Sequence, residues 1–275
     1  MPYPVGTPGV SVVVPLPCQL GPRHSLGVYF QSRPVPRPSR HRASRRGPAT
    51  TGVLPWNSET PIDPMYQLKI RGRQFFNPGL ELVAPANSPQ GIRAALEQHS
   101  REGGSLAHLD LSGLDLREAK FADNTNFEGT SFYSARLDGI QARGGYFAHC
   151  DLSYACISSA DVQSACFVSA QADGLIADNI LAKKTSFSGA KIRRAVFNDA
   201  DLRSADFSHA DAQQGSFKGA DLLLANCGRM AFDSDCMAGT KTPLDVIQRY
   251  SNTRTITSDL LEKYPHLRDE LEAAK

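Results

Sequence analysis

The chain is 275 residues long, carries 30 Lys and Arg against 28 Asp and Glu for a net charge of +2, and is 41% hydrophobic with six cysteines. That length holds one or two domains, and no run approaches the ~18 apolar residues of a membrane-spanning helix. The near balance of charge hides a split: residues 1–104 hold 12 bases and 5 acids, whereas residues 105–240 hold 12 bases and 17 acids.

Residues 1–59 form a basic arm rich in Pro, Arg and Ser, with seven Arg, no acid before Glu59, and stretches such as PVPRPSRHRASRRGP. No periodic apolar pattern survives there, so the arm is expected to be disordered in isolation. SVVVPLP is short, interrupted by Pro and lacks the basic flank of a secretory signal peptide. Three readings stand for the arm. It is an extension without a role, or a signal that delivers a protein of cytoplasmic origin into a host cell, or an organelle transit peptide. The lack of acids favours the last, and the prolines, which prevent an amphipathic helix, oppose it. Arginines can touch nucleic acid or anionic lipid, but no aromatic residues are interleaved to make that specific, and nucleic acid is not the expected partner.

Residues 60–104 lead into the next region. MYQLKI and LELVAP alternate as short strands do, and Ser88 followed by Pro89 starts a helix in which Ile92, Ala95, Leu96 and His99 share a face. Gly103 and Gly104 stop it. Such a helix is expected to cap the open end of whatever follows.

From Asn126 to Gly239 an apolar residue returns at every fifth position in one register, from Phe127, Phe132 and Leu137 through to Phe232 and Met237. Two residues ahead of each runs a small-residue series, including Ala155, Ala160, Ala165, Ala170, Ala190, Ala195, Ala200 and Ala205. After a one-residue slip near Asn124, an earlier run is centred on Leu106, Leu111, Leu116 and Phe121. On a helix, fifth positions rotate by roughly 140° and smear around the cylinder; on a straight strand they alternate faces. The chain must therefore bend once per repeat, and turns too short to bury their own apolar residues must stack into a solenoid.

The motif, with units such as ADFSH and ADLRS, resembles the pentapeptide-repeat family. The resemblance implies an all-β solenoid over residues 105–240, a right-handed β-helix in which four repeats make one square coil. Positions twenty apart then stack, which puts Phe127, Phe147, Phe167, Phe187 and Phe207 in one column at a strand-like spacing of about 4.8 Å. Near residues 170–185 the pattern shifts, with Ala172, Ala177 and Ala182 at central positions and Leu175 and Ile180 beside them. This is either a repacked coil or a bulge that shapes a binding surface.

Residues 241–275 form a helical cap. Thr242 and Pro243 start PLDVIQRY, and TSDLLEKYPHLRDELEAAK reads as two short helices broken near Pro265. They are expected to cover Leu223 and Leu224, which the repeat scheme turns outward; the alternative is that they form a partner site or a homodimer contact.

Catalytic chemistry is not signalled. The seven His form no ligand spacing, so no metal is expected, and none of the six Cys has a partner in the repeat frame, with Cys156, Cys166 and Cys236 pointing outward. The Asp before many central residues, at 110, 115, 151, 161, 201, 206, 211 and 221, suits the bonding of turn N–H groups better than catalysis. No phosphate loop, dinucleotide or nucleophile-elbow motif occurs. We expect no cofactor and no enzyme, and the 35 residues after the last coil are expected to hold no catalytic domain.

Two function classes remain. One is a protein-binding scaffold, in its specific form a bacterial effector acting on a host protein. The other, implied by family members that resemble duplex DNA in shape and negative potential, is a DNA mimic that binds gyrase. Mimicry needs one dominant negative field, and here one outward column carries Arg143, Lys183 and Arg203, with Lys184 beside them. Another carries Cys156, Ile176 and Val196. These two columns, the charged one and the apolar pair Ile176 and Val196 of the other, are the candidate partner-binding residues. The first is more often a solvated face, and the second reads first as a strip covered by residues 60–87.

Overall fold

A computed structural model of the chain describes residues 28–31, 66–73, 78–86, 88–253 and 258–273. It begins with a three-stranded antiparallel sheet of β1 (Val28–Gln31), β2 (Tyr66–Ile70) and β3 (Leu80–Ala84), with β2 central. β1 lies within the basic arm of residues 1–59: VYFQ is rich in residues that suit a pleated surface, and it pairs along β2 from Val28 opposite Ile70 to Gln31 opposite Gln67. The rest of residues 1–65 lies outside the described residues. Leu68, Ile70 and Ala84 are buried and join the same apolar core as the solenoid.

The helix α1 (Pro89–Arg101) forms as its end signals predict. Ser88 Oγ accepts from the Gly91 N–H at 3.1 Å, and Pro89 occupies the first turn, where its missing N–H costs nothing. At the other end Gly104 N–H donates to His99 O and Gly103 N–H to Ser100 O, a Schellman closure made possible by Gly103 at φ +80°. Ile92, Ala95 and Leu96 are buried, while His99 stays partly exposed and lies 3.2 Å from Ser105 O.

The solenoid then runs as predicted. Parallel backbone pairs join residues twenty apart from Asn126 with Tyr146 to Asp211 with Ala231, and the first coil pairs at twenty-one because of the slip. From Leu111 to Cys227, except at the slip, the central residue's carbonyl accepts from the N–H three residues on, as Ala170 N–H does to Phe167 O. The third residue of each such turn has positive φ, the signature of a type II turn. Eighteen of these positions hold non-glycine residues, at φ 53° to 61°. Each pays the left-handed strain of roughly 1–2 kcal/mol that chirality imposes, so coil stacking holds the turn against local preference.

Four columns line the interior, here called A (through Phe127), B (through Phe132), C (through Leu137) and D (through Ala142). Column A stacks as expected: Phe127 on Phe147 and Phe147 on Phe167 at 4.6 Å, Phe167 on Phe187 at 5.0 Å and Phe187 on Phe207 at 4.9 Å, with rings within 13° of parallel. Column C adds a second stack, Phe197 on Phe217 at 5.1 Å, which meets column A edge to face. The coil near residues 170–185 is repacked without a bulge: Leu175 and Ile180 are fully buried beside Ala172, Ala177 and Ala182, and the pairing of Ile176 with Val196 is unbroken.

At the N-terminal end, side chains of α1 replace the missing coil. Glu97 Oε1 accepts from Lys120 N–H at 3.0 Å and buried Ser100 Oγ from Ala122 N–H at 3.2 Å, while Arg71 O takes the N–H of Asp110. At the other end Thr242 Oγ1 accepts from Leu222 N–H at 3.0 Å. The five-residue register fails just before it, in a 3-10 turn Ser234–Met237. That turn corrects one placement: Cys236 is buried against the core instead of facing outward, with Sγ donating to Ala212 O.

Three helices follow, α2 (Leu244–Thr253), α3 (Ser258–Lys263) and α4 (Leu267–Ala273). They cover Leu223, which is fully buried with Val246 and Leu267, while Leu224, Leu261, Tyr264 and Leu271 pack around this cluster. Ile247 instead reaches the solenoid core. Asp245 locks the arrangement by accepting from Lys263 Nζ at 2.6 Å and from the Tyr264 hydroxyl at 3.0 Å.

Candidate functional site

The coil geometry decides which outward side chains meet. The residue after a central position lies beside the residue before the next coil's central position, eighteen further along the chain. Arg143 thus pairs with Asp161 at 2.7 Å, Lys183 with Asp201 at 3.3 Å and Arg203 with Asp221 at 3.6 Å, all on face D. Arg203 also holds Asp201 in a two-pronged contact at 2.7 and 2.8 Å. Burial works against the ionised Asp201, but the Arg203 guanidinium and the Lys183 ammonium outweigh it and keep its carboxyl below the usual range. Face D is therefore a ladder of compensated charges, with Lys184 exposed at its corner.

Face C obeys the same spacing with different residues. Asp138 meets Cys156, whose Sγ donates to it at 2.6 Å, and the residue eighteen after Asp178 is Val196. Burial first, and then this hydrogen bond, push the Cys156 thiol up to about 12. Burial also raises the Asp178 carboxyl, against the Asn198 N–H that donates to it at 3.2 Å. Asp199 is exposed at the corner, over Gly219, where an added Cβ would lie 2.2 Å from its Oδ1. Among the described residues, Asp138, Asp178 and Asp199 have no ion-pair partner.

Between these acids and the preceding corner run Cys156, Ile176 and Val196. Cys156 is 8% exposed, and Ile176 and Val196 are half-buried. The expectation that residues 60–87 cover this strip does not hold for the described part of that segment, which pairs with the first coil instead: Gly72 lies opposite Leu109 and Arg73 N–H donates to His108 O.

The corner aspartates act as the sequence indicates. Asp110, Asp115, Asp151, Asp161, Asp206, Asp211 and Asp221 each accept from the N–H two residues on, at 3.0 to 3.4 Å. Asp201 is the exception, taken up by Arg203. Cys150, Cys156, Cys166, Cys227 and Cys236 are free thiols. Among the described residues no group of three His, Cys, Asp or Glu could hold a metal ion, and no helix is long and apolar enough to cross a membrane. A shallow polar hollow of about 220 Å³ at the start of α1, lined by Arg93, Asp115, Arg117 and Glu118, brings together no nucleophile and base.

Residues 184–227 match the family model of pentapeptide repeats in eight copies. That stretch is built of pentapeptide repeats. No curated protein sequence matches it. Among solved structures, the chain is similar to HetL, a pentapeptide repeat protein involved in heterocyst differentiation regulation in the cyanobacterium Nostoc, at 19% identity over 50% of this chain and 73% of that one, with a TM-score of 0.26. A pentapeptide repeat protein of the Arabidopsis thaliana thylakoid lumen shares 26% identity over 36% and 68%, at 0.25. A trypsin-treated variant of QnrB1, a plasmid-mediated fluoroquinolone resistance protein, shares 19% over 46% and 78%, at 0.23.

Proposed function

We propose that this chain is a non-enzymatic scaffold that binds a protein partner through face C. The observation that carries the reading is the half-buried strip of Ile176 and Val196 beside Asp178 and Asp199, which have no ion-pair partner among the described residues. An apolar strip rimmed by charge is how a docking patch differs from an ordinary wet surface. Face D, with Arg143, Lys183 and Arg203 already paired, has less to offer a partner, because a ligand would first have to break those pairs. The mixed surface also disfavours the gyrase-binding alternative, which requires a continuous negative field. Delivery of the protein as a bacterial effector acting on a host protein is the specific form of the scaffold reading and rests on the composition of the arm alone. The C-terminal helices bury their apolar residues on Leu223 and Leu224, which leaves less apolar surface for a homodimer there.

The test is capture of partners by the full chain and by its Ile176→Asp, Val196→Asp variant. A protein retained by the first and lost by the second, with the thermal midpoint of the variant unchanged, supports the reading. Retention by both places the binding surface elsewhere.

A further inference from the structure

We propose that face C is where a second copy of this chain docks, the two solenoids lying side by side and parallel about a twofold axis. The proposal rests on the reading of face C as the binding face and names an occupant for it. The strip of Ile176 and Val196 runs between two rims. One is the corner before it, where Tyr154, Gly174, Arg194 and Gln214 stand one above the other. The other is the column of Asp138, Ser158, Asp178, Asn198 and Lys218, with Ser159 and Asp199 at the corner beyond. A twofold axis parallel to the solenoid exchanges the rims and keeps the height, so each coil meets the same coil of the other copy.

The rims are complementary under that operation. Arg194, whose Nε donates to Gln214 Oε1 and which has no ion-pair partner among the described residues, is brought to Asp199 of the other copy. Tyr154, 55% exposed, meets the small Ser158 and Ser159. Its ring lies over Gly174, where an added Cβ would come 2.9 Å from Cδ1, and touches Tyr133 edge to face at 5.8 Å. The ring is therefore held before binding and loses little freedom on it. Ile176 and Val196 pack across the axis on their own counterparts. Lys218 meets the neutral Gln214 and Ser216. Asp138 is brought to Arg136, but it already interacts with Arg117 of the preceding coil and with the Cys156 thiol, so this pair adds least. From Arg136 to Lys218 no height sets like charges together. Reversing one copy about Ile176 would instead set Asp178 against Asp178, which is repulsive. One side of a solenoid is a small interface, so association is expected at about ten micromolar and above.

The experiment is sedimentation of the full chain from about 1 to about 200 µM, a range that brackets the expected affinity. The parent is expected to pass from monomer to dimer. Arg194→Asp and Asp199→Arg each set like charges together on both sides of the axis, and each is expected to raise the dissociation constant at least tenfold, roughly. An equimolar mixture of the two variants is expected to return to within about threefold of the parent, because every Asp then faces an Arg. Misfolding of either variant would not be repaired by mixing. A parent that stays monomeric, a dimer unmoved by both substitutions, or a mixture no tighter than its components would overturn the proposal. If it fails while capture of another protein still depends on Ile176, self-association fails alone. If capture is also independent of Ile176, the reading of the face fails with it.

Discussion

Faces C and D share one backbone, one coil spacing and one core, yet they handle charge in opposite ways. On D, Arg143, Lys183 and Arg203 each find an aspartate eighteen residues on; on C, Asp138 and Asp178 find a thiol and a valine. A solenoid therefore writes its recognition surface in pairs between coils, and a column of one sign means little until its neighbouring column is read with it. A partner for a face that is neutralised internally must first break its pairs, whereas a face that is not needs no such step.

The comparison presumes that the two faces differ only outside the core. Phe167→Ala tests this first, because the ring is stacked on both sides at 4.6 and 5.0 Å and is buried. The loss is expected to be about 3–5 kcal/mol in urea unfolding, and binding by any face should suffer together with stability. Ile176→Asp sharpens the difference: partner affinity is expected to drop at least tenfold, about 1.4 kcal/mol, with little change in the unfolding midpoint. Replacing Ser159 on C and Ser164 on D by Gly should stabilise both faces alike, by about 0.5–1 kcal/mol each, because both residues sit at positive φ. Unequal gains would show that the faces hold their turns differently.

Smaller effects separate the charges. Arg203→Gln leaves Asp201 and Asp221 with less compensation and is expected to cost no more than about 1 kcal/mol, since these are partly solvated pairs. Asp178→Asn should act in the other direction. Its carboxyl is raised by burial in the folded chain, so the native state binds the proton more readily than the unfolded one, and stability declines as pH rises from the ordinary carboxyl range through the raised folded value. The variant should then match the parent in acid and be slightly more stable at pH 7. A parent that gains stability over that window would contradict the burial of Asp178.

Most of the fold was legible because a square coil places one side chain inward per side. The five-residue return of Phe127, Phe132 and Leu137 and the twenty-residue return of Phe147, Phe167 and Phe187 report that geometry directly. Strand β1 was not legible: its partner Ile70 lies forty-two residues from Val28, and the prolines around it dominate any local window. Nor were the strained turns, since their third positions hold Ser, His, Lys and Arg as readily as Gly; coil pairing, not residue choice, sets that backbone. The placement of Cys236 failed where the register itself changes. At the candidate site, the columns of Arg143 and Ile176 were visible, but their partners were not, because the signal was a spacing of eighteen across two columns.

The most direct measurement compares two neutralised proteins against one partner captured by the parent chain. One carries Asp178→Asn and Asp199→Asn; the other carries Arg143→Gln, Lys183→Gln and Arg203→Gln. The account predicts that affinity falls about tenfold or more for the first and stays within about twofold for the second, as expected when only the first face has charge left to give. Loss confined to the second protein would contradict it.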